Sequence, residues 1–304
     1  MAAKRLTTFL FAARAIYGIQ NAIIEATGSA VELDTEFTRL EQIFAGSQER
    51  IGSVEKNVQS LSSEILTLAS NYGVAATEIA KSADIFAQAG IQGRNLQKIL
   101  EISTKASVGP TFGSNIEISE AVIASMNQFR IQADDMEDVI GGISQVSAQF
   151  AVESDGITKA IRRAGGAFAA AKADGQSYMG ALADFVGAFT VLKEQTREAD
   201  ETLATSLRNV LNRLQRSNVR KYLQENFNIE LLDENNQFIG FARSIELVSA
   251  KIKELGIKSG DPRFAELVQK LAGSLQSSRL TSLLAGAGDI TKAVAEFQRG
   301  GESL

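Results

Sequence analysis

Residues 200–241 read DETLATSLRNVLNRLQRSNVRKYLQENFNIELLDENNQFIGF. Leu203, Leu207, Val210, Leu211 and Leu214 recur at intervals of 4, 3, 1 and 3, which places them on one stripe of a helical period. Such a stripe has to be buried, so the stretch predicts a long amphipathic helix resting on a core. Glu198, Asp200 and Glu201 gather where a helix N-terminus favours negative charge. Arg213, Arg216 and Arg220 follow at spacings of 3 and 4, and no acidic residue falls between Thr202 and Gln224. Beyond Asn226 the pattern turns strand-like. Apolar flanks around Asp233-Glu-Asn-Asn236 predict a β-hairpin over 227–241, because Asp and Asn supply turn geometry.

The chain is cut into helices by glycine corners. The sequence has 25 glycines and only 2 prolines, with 44% hydrophobic and 22% charged residues over 304 positions. That is enough apolar surface for more than one core. An amphipathic helix is expected over Ala2–Ala26, in preference to a cleaved signal, since Arg14 interrupts the apolar run. A second, from about Val31 to Phe44, carries Leu33, Phe37, Leu40 and Phe44 on one face. The most regular pattern follows: Ile51, Val54, Val58, Leu61, Ile65, Leu68 and Tyr72 alternate 3 and 4 without a fault. It reads as a seam, either against the chain's own core or for self-association of several copies as a coiled coil.

Two helices are expected between Gly73 and Leu100, split at Gly90-Ile-Gln-Gly93. Ser114-Asn-Ile-Glu117 matches a capping box, and Asp261-Pro262 is a second helix start. Ile79, Phe86, Ala87, Ala89, Gly93 and Leu100 correspond to Ile161, Phe168, Ala169, Ala171, Gly175 and Leu182 at an offset of 82. This suggests a duplicated helical hairpin. Small residues from Ala164 to Ala171 would let a neighbouring helix approach closely. The fold expected is mainly α, an elongated multi-helix bundle of helical hairpins with one small β-hairpin. Four segments are expected: 1–72 with the amphipathic and seam helices, 73–226 as a helical-hairpin core ending in the arginine helix, the hairpin 227–241, and the C-terminal helices 242–304.

The sequence lacks Cys, His and Trp. That excludes cysteine nucleophiles, disulfides, zinc sites built on Cys or His, and histidine-dependent triads. A net charge of −5 speaks against coating nucleic acid over the whole surface. The longest apolar stretch, Met179 to Leu192, contains Asp184 and is too short to span a bilayer. The acidic run Asp134, Asp135, Glu137 and Asp138 suits a helix N-terminus better than a metal site. The turn at Asp233 fails as a calcium loop because Phe238 stands where glycine is required. No phosphate-binding loop, cofactor site, metal site or catalytic constellation is expected. Arg208, Arg213, Arg216 and Arg220 remain as candidates for contact with a partner or an anion, against the plainer reading of a solvated helix face.

The helix Glu201–Arg216, with Ala204, Thr205, Leu207, Arg208, Arg213 and Leu214, resembles a segment of the tail tape measure proteins of long-tailed bacteriophages. So does the stretch after it, through Asn228-Ile-Glu-Leu231, Asp233 and Phe238, although Asn236 stands where that family often has glycine. The similarity runs from about Val31 to Leu284 and rests on the order of its segments, including Gly73 to Ile91, Gly175 to Leu192 and Phe264 to Gly273. It implies a structural part of the virion, a segment of a ruler in the tail-tube lumen that sets tail length. Implied partners are further copies of itself, tail-tube and tail-tip or baseplate proteins, and transiently phage DNA or the host membrane during ejection. The resemblance implies no small-molecule substrate. Whole tape measures are longer and carry extended coiled coils, apolar segments and in some cases a cell-wall hydrolase, none of which is visible here. A membrane-active helical module, or an enzyme working on the cell wall with carboxylates alone, is the alternative reading.

Overall fold

Apolar stripes at helical spacing, closed by glycine corners, become helices almost throughout. The computed structural model describes residues 29–46 and 51–300, and among these there are helices, their connections and no strand. The helix expected over Ala2–Ala26 lies outside the described residues. Two units are distinguished, Met1–Leu100 and Glu101–Leu304.

The first unit holds α1 (29–45), α2 (Ile51–Tyr72), α3 (Ala76–Gln88) and the beginning of α4 (Gly93–Ser107). Leu40 and Phe44 of α1 are buried, as the stripe requires. So are Val58, Leu61, Ile65 and Leu68 on the seam of α2, which packs against α3. The side chains of Ile51 and Val54 lie outside the described residues. Helix α3 ends where the Ile91 N–H donates to Phe86 O (3.0 Å) and the Gly90 N–H to Ala87 O (2.9 Å), with Gly90 at φ 83°. That left-handed corner is open to glycine without a steric penalty.

In the second unit the helices are α5 (Asn115–Phe129), α6 (Met136–Gln149), α7 (Ser154–Ala170), α8 (Tyr178–Thr196) and α9 (Asp200–Leu214). They continue as α10 (Ser217–Phe227), α11 (Phe241–Glu254), α12 (Pro262–Ala272), α13 (Ser277–Ala285) and α14 (Ala287–Arg299). Ser114 and Glu117 form the expected reciprocal cap on α5, and Asp261 caps α12 with Pro262 in its first turn. Helix α8, the most apolar stretch of the sequence, contacts α7, α9, α11, α13 and α14. From Ala181 to Leu192 only Asp184 is less than buried. Phe168 meets Phe185 edge-on at 4.9 Å and Phe241 at 5.0 Å. Each buried phenyl stabilises by about 1.5–3 kcal/mol over its exposed state, with roughly 0.5–1.5 kcal/mol more from edge contacts. Among the described residues no helix is long and apolar enough to cross a membrane.

Close approach falls on small residues, as expected for Ala164–Ala171. A Cβ at Gly165 would stand 2.7 Å from Phe129 Cε2 of α5. The same holds at Gly187, where a Cβ would stand 2.9 Å from Ile290 O of α14.

Two expectations need correction. The helix from Asp200 does not run on to Asn226. It stops at Leu214, and Arg216, extended at φ −71° and ψ 137°, begins α10. After Leu214 the next apolar residue is Val219, five positions on, which would lie about 140° off the stripe of a continuous helix. Breaking the helix lets Val219, Leu223 and Phe227 bury a face of their own.

The β-hairpin over 227–241 is also absent. Phe227 closes α10, Asn228 ends it in the left-handed region, and only a single bridge, Leu232 to Phe238, crosses the loop. The turn itself forms: Asp233 Oδ1 accepts from the N–H groups of Asn235 and Gln237, both at 2.9 Å. Ile229 and Leu231 are buried one residue apart, so the flank is held by its side chains rather than by a ladder.

Candidate functional site

The four arginines fall on two helices and the joint between them, and their environments differ. Arg213, in the last turn of α9, donates from Nη1 to Lys270 O of α12 at 3.2 Å. Its guanidinium lies over Gly273, where a Cβ would stand 2.7 Å from Nη2. Gly273 has φ 74°, so both the backbone and the arginine call for glycine. A fixed cation at the carbonyl end of α12 is also favoured by that helix's dipole. Arg213 therefore ties α9 to α12.

Arg216 is exposed at the joint, and its carbonyl accepts from the N–H groups of Val219 and Arg220 at 3.1 and 3.0 Å. It borders a cavity of about 240 Å³ shared with Asn209, Asn212, Arg213 and Leu275, the last 83% exposed. Arg220 is half-buried, and its Nε is enclosed without a hydrogen-bond partner. Elsewhere on α10, Tyr222 lies under Lys270 Nζ, 5.7 Å from the ring centre. Burial first, and then Glu266, push the Tyr222 hydroxyl above its ordinary value. Arg208 is half-buried on α9. The structure thus joins Arg213 and Arg216 at one cavity and sets Arg220 in another, beside Gln224 and Leu231.

Sequence reasoning missed a cluster of paired charges. It surrounds a cleft of about 510 Å³ where the start of α7 meets the start of α9. Asp155 accepts from Lys159 Nζ at 2.5 Å, and Lys193 pairs with Asp200 at 2.7 Å. Gly156 makes room for Asp200, since a Cβ would stand 3.1 Å from its Oδ1. The hydrogen bond to Asp155 raises the Lys159 ammonium, and the Ser114 backbone N–H holds the nearby Glu117 carboxyl low. Arg197, left-handed at φ 56°, donates to Ala151 O at 2.7 Å. Fully buried Ser154 bonds to Thr111 at 2.9 Å and to Ser147 at 2.8 Å.

These three hydroxyls bond to one another rather than to a carboxylate, and each lysine is paired with an acid. An activated nucleophile needs a base within reach of its hydroxyl, and this network instead pins helix ends together. A close pairing of Lys, Asp and Gly around a helix start has no local signature in sequence. Among the described residues no group of three or more His, Cys, Asp or Glu is arranged to hold a metal ion.

The family model described as phage-related minor tail protein matches residues 62–273. No solved structure matches the chain.

Proposed function

This chain belongs to the phage-related minor tail protein family, and from that premise we propose that it is a folded segment of a tape measure protein, set in the lumen of the tail tube and acting on tail length during assembly. The observation that carries the reading is the span of the family match, which begins within α2 and closes at Gly273, the residue that Arg213 covers. That span takes in the helices whose order resembles the tape measure proteins. A tail protein works in contact with other tail components. The proposed partners are further copies, tube proteins and tail-tip proteins, and the role is structural rather than catalytic.

Arg216 and Arg220 are the proposed contacts for an anionic partner surface, because Arg213 is already committed to α12. Self-association through α2 is proposed as well. Val58, Leu61, Ile65 and Leu68 are buried within the chain, so a second copy would have to meet α2 beyond them.

Placement in the lumen is testable by labelling. Lys221 and Lys292 have side chains 72% exposed. An amine reagent that does not enter the tube should modify both in the free chain and neither in intact virions. Equal labelling in the two states would contradict the lumen placement.

A further inference from the structure

We propose that the contact between α1 and α3 is a proton-operated latch: one proton shared by Glu36 and Asp84 seats α1 on α3, and its loss releases α1. Glu36 is 4% exposed and Asp84 3%, and each sits on the apolar stripe of its helix. One cation serves both. Arg39 Nη1 lies 3.0 Å from Glu36 Oε2 and 3.9 Å from Asp84 Oδ2. Both Asp84 oxygens are enclosed without a hydrogen-bond partner, and the shared Arg39 Nη1 brings the Glu36 carboxyl close to them.

Two carboxylates have only acceptors to offer each other, so their contact is attractive when a proton lies between them and repulsive when both are ionised. With the proton present, the group of two acids and one guanidinium is neutral. Without it, the group carries one uncompensated negative charge in a buried place.

Burial first, then the neighbouring Glu36 carboxyl, push the Asp84 carboxyl up to about 7, and Arg39 offsets only part of this. A second cation, Lys81, also feels the charge of Glu36. Lys81 of α3 pairs with Glu32 of α1 at 2.5 Å, and Glu78 acts on Lys81. Among its described side chains, helix α2, which also packs on α3, carries Glu64 and Tyr72, and neither acts on Asp84.

The direction follows. A carboxyl that binds its proton more tightly in the docked state than when free favours docking fully at low pH. The preference is lost as pH rises from the free value near 4 to the docked value near 7. Over that window one proton is released per opening, so the open fraction should grow about tenfold per pH unit and then level off.

The chain has no cysteine, so a single reporter thiol gives a clean signal. Leu40→Cys places it on the buried face of α1. Its labelling rate, divided by that of the denatured chain at the same pH, should climb about tenfold per unit between pH 5 and 7 and flatten above. With Asp84→Asn added, an amide hydrogen stands in for the shared proton, and the slope should vanish with the thiol protected throughout. Should that variant fail to fold by circular dichroism, Glu36→Gln makes the same substitution from the other side. Labelling that is independent of pH in the parent, or an undiminished slope in the folded amide variant, would overturn the latch.

Discussion

Asp184 lies on α8 between the fully buried Ala183 and Phe185, and it keeps one hydrogen bond, accepted from Gln176 Nε2 at 3.0 Å. Burial pushes its carboxyl up to about 6, with Gln176 opposing the shift and Glu246 adding to it. The unfolded chain would hold that group near 4. Its contribution to stability is therefore complete below about pH 4 and is lost as pH rises through about 6. Asn at this position still accepts from Gln176 and has no charge to bury. Asp184→Asn should raise Tm relative to the parent by an amount that grows from pH 4 to 6 and is constant above, measured by thermal melts at each pH. Identical profiles for the two proteins would contradict it. An acid on an apolar helix was legible here, because Asp184 interrupts the longest apolar run. Asp84 and Glu36 were legible in principle by the same sign, each standing at helical spacing between apolar neighbours. Asn236 also explains itself in the structure: it takes φ 59° in the turn, a conformation that glycine adopts freely and Asn tolerates.

At the scale of elements, most boundaries could be read because their causes are local. The capping box at Ser114, the Asp-Pro start at Asp261 and the glycine corner at Gly90 each act within a few residues. The break between α9 and α10 had a local sign as well, the five-residue step from Leu214 to Val219 with Ser217 and Asn218 inside it. The missing hairpin had none, since Ile229 and Leu231 are apolar at strand spacing whether they join a ladder or pack on helices. Likewise no spacing announces that Arg213 reaches α12, 57 positions away. That tie makes a prediction about two elements at once. Arg213→Ala should destabilise by about 1 kcal/mol, because the guanidinium is only half-buried. Gly273→Ala should cost about 1–2 kcal/mol from its left-handed backbone, and more where the new methyl displaces the arginine. In the double variant the two losses should fall short of additive, since both act through one contact. Full additivity in denaturant melts would show that the contact carries no coupling.

For the whole molecule, the mainly α fold followed from periodicity and glycine punctuation, while the division at Leu100, inside α4, did not. A boundary within a helix leaves no break in the pattern of apolar residues. The charged cleft at the start of α7 escaped for a related reason, since Lys193 and Asp200 meet Asp155 and Gly156 only once the helices are packed. The family match covers the greater part of the second unit and the C-terminal half of the seam helix, and it makes the chain a tail protein. Its proposed action on length is tested in the assembled tail. The most direct measurement is tail length by negative-stain electron microscopy in a phage carrying an in-frame deletion of residues 62–273, with every other tail gene intact. A segment of a tape measure predicts shortened tails or none at all. Tails of unchanged length would contradict it.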